Sequence, residues 1–400
     1  MKVISGGVTA AKGYLAGGLA CGLKKNQNPD LALIFSETPA VGAGIFTLNK
    51  VQAAPVHLSK RHLHSPVCQA VIANSGNANA CLGAAGLETA ARMTDAAARF
   101  LGIPVETVLV ASTGVIGQPL AVEKIEAVLD AKPDFLRETG SDAAARAIMT
   151  TDTFPKEYAL EFEIDGAKVT IGGIAKGSGM IHPNMATLLS FVTTDVSIEK
   201  PLLQKALLQA GDHSFNRITV DRDTSTNDTL FVLANGQAGN PTIMEEGPAY
   251  EAFAAALTAV CRELAKLIAQ DGEGATKLIE VKVTGALGEA EAVLIGKSIA
   301  TSNLVKTALF GEDANWGRIL AAAGYSGVDF DPATVDIYLG DLMVCQGGIG
   351  LPFDEERAKQ ILNAKEILIT VHMGRGDAEA SIWTCDFSYD YVKINGSYRT

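Results

Sequence analysis

Residues 172–193 read GGIAKGSGMIHPNMATLLSFVT. It opens glycine-rich around Lys176, passes through His182-Pro183, and reaches Thr187 at the start of the apolar run Leu188–Thr193. Pro183 excludes helical backbone at His182, so the approach to Thr187 is extended or turned. The run that follows has the length and apolar character of a buried strand. A threonine at the mouth of such a strand, behind a glycine-rich loop, suits a nucleophile. Its hydroxyl proton is held tightly, and an adjacent α-amine can serve as base. A free α-amine titrates at about 7.7–8.0, near working pH. An internal threonine has no such amine unless the chain is cut before it. By spacing alone, an ordinary β-branched strand residue is the favoured reading of Thr187.

Upstream, Leu31–Phe35 and Val71–Ala73 predict short buried strands, and the second runs into the amide-rich turn Asn74–Asn79. Helical pattern resumes over Leu87–Leu101, and the strand Val108–Ala111 delivers the chain into Ser112–Gly117. Leu160, Phe162 and Ile164 alternate with acids, and Asp165-Gly166 turns into Val169 and Ile171, which predicts a hairpin. Downstream, Phe253, Ala256, Leu257, Val260, Leu264, Leu267 and Ile268 form one apolar helical stripe. It ends at Asp271–Gly274, where glycine can cap. Strands are expected at Ile279–Val283 and Ile367–Val371, and helix over Asn303–Ala323 with a break at Gly311–Asn315. These elements define an α/β protein, and 400 residues point to two lobes or one large layered domain.

Composition removes several function classes. The chain is 48% hydrophobic and 20% charged, with a net charge of −12 and no basic stripe, which argues against nucleic acid or an anionic membrane as partner. No uninterrupted apolar stretch reaches the length of a membrane span. Lys12 and five glycines between residues 6 and 18 dilute any secretion-signal pattern, so the cytoplasm is the expected compartment. Six cysteines without a C-x-x-C pair read as free thiols, and six histidines without H-E-x-x-H spacing leave no expectation of a metal. Gly172–Gly179 imitates a phosphate loop poorly, because no Ser or Thr follows a Gly-Lys pair.

Eight segments together resemble the ornithine acetyltransferase family, also called glutamate N-acetyltransferase. They are Asn74–Gly83 (NSGNANACLG), Ser112–Gly117 (STGVIG), Thr150–Lys156 (TTDTFPK), Lys176–Leu189 (KGSGMIHPNMATLL), Asp221–Thr229 (DRDTSTNDT), Asp271–Lys277 (DGEGATK), Gly311–Arg318 (GEDANWGR) and Asn395–Thr400 (NGSYRT). They occur in the family's order over nearly the whole chain. The resemblance implies a two-lobed, layered sheet-and-helix protein of N-terminal-nucleophile type. It implies self-cleavage between Ala186 and Thr187, giving an α chain of residues 1–186 and a β chain of 187–400, assembled as an α2β2 heterotetramer. Thr187 is then both processing residue and acetyl-accepting nucleophile. Thr113 and Gly114 match the oxyanion positions, and Thr150, Lys176, Thr187, Glu273, Asn395 and Thr400 match substrate-binding positions. Thr151 beside Thr150 leaves that assignment open by one residue. The implied reaction moves an acetyl group from N2-acetylornithine to glutamate in arginine biosynthesis, with no bound cofactor; some relatives also accept acetyl-CoA as co-substrate.

The residue chemistry is compatible with these roles. A hydroxyl and a backbone N–H at a glycine turn suit an oxyanion, though Thr113-Gly114 also fits a plain turn. Lys176 suits a carboxylate as a compact cation, or is a solvated loop lysine. Glu273 lies just past a helix C-terminus, where the dipole disfavours a carboxylate by roughly 0.3–1 kcal/mol; a substrate ammonium would give it a purpose. Asn395 and Thr400 could bond an amino-acid backbone or only tie down the tail. His182 is expected to shape the scissile loop rather than act as base. Two rivals stay open: an N-terminal-nucleophile aminopeptidase or amidase, and a non-catalytic amino-acid- or nucleotide-binding protein.

Overall fold

A computed structural model describes residues 1–131, 133–182 and 188–397. Its first lobe is organised by a nine-stranded sheet that the long strand Leu31–Phe46 bends into two leaves. Residues 31–35 of that strand pair with Cys68–Asn74, while 41–46 pair with Thr229–Ala234. The register shifts between Phe35 and Ala40, around Pro39. Proline cannot donate to a ladder and is tolerated at such irregularities. One leaf contains Tyr14–Leu19, the first part of Leu31–Phe46, Cys68–Asn74 and Val108–Ser112. The other runs from Lys2–Ile4 through Lys156–Ile164, Ala167–Lys176 and Leu189–Thr194 to Thr229–Ala234.

Strand alternation turns these leaves into four layers. Leu109 and Ala111 point into a core shared with Ile174, Leu189, Phe191 and Phe231 of the other leaf. Val108 and Val110 face the opposite way, against the helices Ala54–His62, Gly83–Leu101 and Val122–Asp130. The outer face of the second leaf, including Val169, Ile171 and Val192, is covered by Lys200–Asp212 and Pro248–Gln270. Phe253, Leu257, Val260, Leu264 and Ile268 are all buried on that last helix, as their spacing requires, whereas Leu267 is half-buried.

The second lobe is a six-stranded sheet ordered Ile349–Gly350, Leu342–Gln346, Asp336–Leu339, Glu366–His372, Leu278–Ala286, Ala378–Cys385. Glu289–Ala300, Asn303–Phe310 and Trp316–Gly324 pack against it. The expected break between the last two helices falls at Gly311–Asn315. Leu278, Trp383 and Cys385 join the core of the first lobe and tie the lobes together. The layered α/β architecture is therefore the one expected. The lobes part near residue 275, and the strands on either side of position 187 lie in a single sheet.

Candidate active site

Three groups of strand ends converge on one cleft of about 140 Å³. The parallel strands Cys68–Asn74 and Val108–Ser112 finish side by side, and Thr113 N–H donates to Asn74 O at 3.0 Å. Gly114 follows at φ +131°, and a Cβ there would lie 2.4 Å from the carbonyl carbon of Gly76 and 2.5 Å from the nitrogen of Asn77. Both the backbone conformation and the close approach require glycine. Among the described residues, the Gly114 N–H carries no hydrogen bond. Asn227 braces this turn from across the cleft, donating to Ala78 O at 2.6 Å and Ser112 O at 2.9 Å.

Lys176 ends the strand Ala167–Lys176 and is buried in the cleft wall. Its ammonium donates to Thr113 Oγ1 at 3.5 Å, so the Thr113 hydroxyl proton is left to point at another acceptor. Burial pulls the Lys176 pKa down, as does Lys156, while Asp152, Asp228 and Glu273 oppose this. The glycine-rich loop then passes Glu273 so closely that a Cβ at Gly179 would meet its carboxylate at 2.4 Å. Glu273 N–H donates to Ser178 O at 3.0 Å, and Glu273 Oε2 accepts from Asn395 Nδ2 at 2.7 Å. Asp221 fastens the far end of the loop, accepting from Met180 N–H at 2.6 Å and Ile181 N–H at 2.9 Å.

Thr113, Gly114, Thr150, Lys176, Glu273 and Asn395 all line this one cleft. Thr151 lines it as well, so the one-residue ambiguity there persists. Ala186, Thr187 and Thr400 lie outside the described residues. The chain re-enters at Leu188, which lines the cleft, and Leu188 O accepts from Thr229 N–H at 2.8 Å. His182 Nδ1 lies 3.0 Å from Thr219 Oγ1, and its pKa falls to about 4, chiefly through burial, with Lys297 and Arg222 adding to it.

Sequence reasoning missed Asp152, Lys156, Asp271 and Asp228 as site components. Lys156 is fully buried between Asp152 Oδ1 at 2.7 Å and Asp271 Oδ2 at 2.6 Å. Burial alone would raise the Asp152 pKa, but the ammonium groups of Lys176 and Lys156 hold it well below the usual carboxylate range. Asp228 lines the cleft and is lifted well above that range by burial, which Ser225 and Lys176 only partly offset. The signal available was charge inside quoted segments: TTDTFPK, DGEGATK and DRDTSTNDT place these groups beside residues already singled out. Among the described residues there is no cluster of His, Cys, Asp and Glu suited to a metal, and no helix long and apolar enough to cross a membrane.

A layered α/β body that gathers a hydroxyl, a glycine N–H, a buried cation and a carboxylate at one set of strand ends defines an acyl-transfer enzyme for small charged substrates. The chain belongs to the ArgJ family, whose profile matches residues 15–400. It is an acetyltransferase of arginine biosynthesis, of the glutamate N-acetyltransferase type. It is 54% identical over 402 residues to the arginine biosynthesis bifunctional protein ArgJ of Symbiobacterium thermophilum, with 100% of both chains covered. A crystal structure of the ArgJ protein of Bacillus halodurans is 48% identical, with a TM-score of 0.51 over 52% of this chain and 98% of that one. The ornithine acetyltransferase of Mycobacterium tuberculosis, solved with ornithine, is 40% identical over 46% of this chain and 99% of that one, with a TM-score of 0.44.

Proposed function

We propose that the chain cuts itself between Ala186 and Thr187 and that the freed Thr187 carries acetyl from N2-acetylornithine to glutamate. The observation that carries this reading is the convergence of Thr113, Gly114, Lys176, Glu273 and Asn395, drawn from segments across the whole chain, on the cleft that Leu188 enters. Attack by the Thr187 hydroxyl on the acetyl carbonyl, with its own α-amine as base, develops negative charge on oxygen. The Thr113 hydroxyl and Gly114 N–H receive that charge. Collapse, with the proton taken up by the Thr187 α-amine passed to the leaving nitrogen, breaks the C–N bond, expels the ornithine amine and leaves acetyl-Thr187. The glutamate α-amine then attacks the ester and restores the enzyme. Lys176 holds a substrate carboxylate, while Glu273, with Asn395, Thr150 and Thr400, holds the remaining polar groups of the amino acid.

The products of scission are residues 1–186 and 187–400, which pair as an α2β2 heterotetramer. The half-length span of the Bacillus halodurans chain supports the two-chain form, since that chain is 98% matched within 52% of this one. Acetyl-CoA serves as a second donor, a reading supported by the word bifunctional in the names of the curated relatives. The enzyme works in the cytoplasm, in keeping with six cysteines that are all free thiols.

Trapping the intermediate tests the reading. Mature enzyme given N2-acetylornithine without glutamate, then acid-quenched, is expected to show one added acetyl on the peptide that begins at Thr187. Parallel double-reciprocal lines should accompany it. Intersecting lines with no trapped acetyl would mean direct transfer. A label lost to water without gain of product on adding glutamate would mean a hydrolase.

A further inference from the structure

Beneath the cleft floor lies a chain of buried charges that touches no cleft-lining space at its centre yet contacts both poles of the site. Lys156 is 0% exposed and Asp152 and Asp271 nearly so at their side chains. Asp152 Oδ1 accepts from Gly177 N–H at 2.7 Å, its Oδ2 accepts from Thr150 N–H at 2.9 Å, and Oδ2 lies 3.9 Å from the Lys176 ammonium. Asp271, shared by the same Lys156, accepts from Thr153 N–H at 3.0 Å and Thr153 Oγ1 at 2.5 Å. Its backbone carbonyl accepts from Ser178 Oγ at 2.6 Å, and Ser178 O receives the Glu273 N–H. A hydrogen-bonded path therefore runs from Asp152 to Glu273 through Lys156, Asp271 and Ser178, and the longer ion pair from Asp152 joins Lys176 to it.

We propose that Asp152 is a positioning residue that keeps Lys176 placed and charged for a substrate carboxylate, with the Lys156–Asp271 pair setting how much of the Asp152 charge Lys176 receives. The proposal rests on the reading of Lys176 as the carboxylate-binding cation. A lysine this deeply buried favours its neutral form unless an opposite charge lies near. Asp152 supplies that charge but divides it between two ammonium groups. Lys156 in turn is shared with Asp271, so part of the Asp152 charge stays available to Lys176. The other ionisable groups facing Lys176 are Asp228 and Glu273, which favour its charge, and Lys156 and Lys24, which oppose it.

A merely structural role and a positioning role separate in the pH profile. If Lys176 must be protonated to bind the acylated donor, kcat/KM falls as pH rises through the Lys176 pKa. Asp152→Asn removes a neighbouring negative charge, so this alkaline limb is expected to move to lower pH by about 1–3 units. Each unit is about tenfold in kcat/KM at a fixed pH above the limb. Asp152→Glu retains the charge and is expected to return the limb towards the wild-type position. The double variant Lys156→Met/Asp271→Asn removes an opposite-charge pair together and leaves Asp152 to Lys176 alone, so the limb is expected to move to higher pH. This opposite sign decides the matter even where Asp152→Asn fails to fold. Loss of activity with an unmoved limb in both variants overturns the proposal. Lys176→Met tests the underlying reading separately. An unchanged KM for N2-acetylornithine in that variant removes the carboxylate role itself. A raised KM there with an unmoved limb in the others leaves that role standing and removes only the positioning device.

Discussion

In the proposed reaction Thr113 and Gly114 divide one task. The threonine hydroxyl accepts from Lys176 at 3.5 Å, which leaves its proton for the oxyanion which that reaction would develop. The glycine gives up a side chain to bring its N–H past Gly76 and Asn77. Thr113→Ala removes one donor without disturbing that turn. Transfer by mature, correctly cut enzyme is expected to fall by about 10²–10³ in kcat. Thermal stability should change little, because the hydroxyl makes no bond in which it must donate to the fold. Steady-state kinetics on the purified two-chain form checks this. An unchanged kcat would move the oxyanion role to another group.

Among the elements, the loop from Gly177 to Ile181 is held at its far end by Asp221. Met180 sits at φ +57°, in the left-handed region that a methionine adopts only under constraint. The Asp221 carboxylate supplies that constraint through Met180 and Ile181, and also accepts from Asp223 N–H at 3.2 Å. The same loop continues into the segment where scission is proposed. Asp221→Ala takes the carboxylate acceptor from the Met180 and Ile181 N–H groups and so releases the backbone that holds Met180 in the left-handed region. Slower appearance of the fragment starting at Thr187 is the expected result, followed by a time course on denaturing gels. A wild-type cleavage rate would show that the approach geometry does not depend on Asp221.

At the scale of the whole molecule, the proposed scission does not divide the lobes. Leu189–Thr194 and Thr229–Ala234, from the downstream part, lie between Ala167–Lys176 and Leu31–Phe46 of the upstream part. Residues from both parts also fill the core beneath Pro248–Gln270. Two full ladders and a shared core hold the fragments without the peptide bond. Denaturing mass spectrometry is expected to show two chains, while native mass spectrometry shows them only as a complex. Fragments that separate in buffer would contradict the interleaved sheet. The stoichiometry of that native complex tests the heterotetramer in the same measurement.

Some of this was legible along the chain because its causes are local. Asp165 and Gly166 both take positive φ, 49° and 80°, so the hairpin followed from turn chemistry and the alternation of the strand before it. The stripe from Phe253 to Ile268 and the break at Gly311–Asn315 followed from helical period and capping in the same way. The eight quoted segments carried the family and six residues that the fold then brought to one cleft. Other features depended on distance. Leu31–Phe46 reads only as far as Phe35, because Pro39 and the glycines after it conceal a strand that changes partners. Tyr389–Ser397 buries no residue among its nine and so shows no apolar stripe, although Asn395 reaches Glu273 from it. Lys156 and Asp271 stand 115 residues apart, and each resembles a solvated surface charge in its own segment. Periodicity and turn chemistry act over a few residues and are written in the sequence. Which charges lose their water, and which partner then compensates them, is decided only when remote strands close over them.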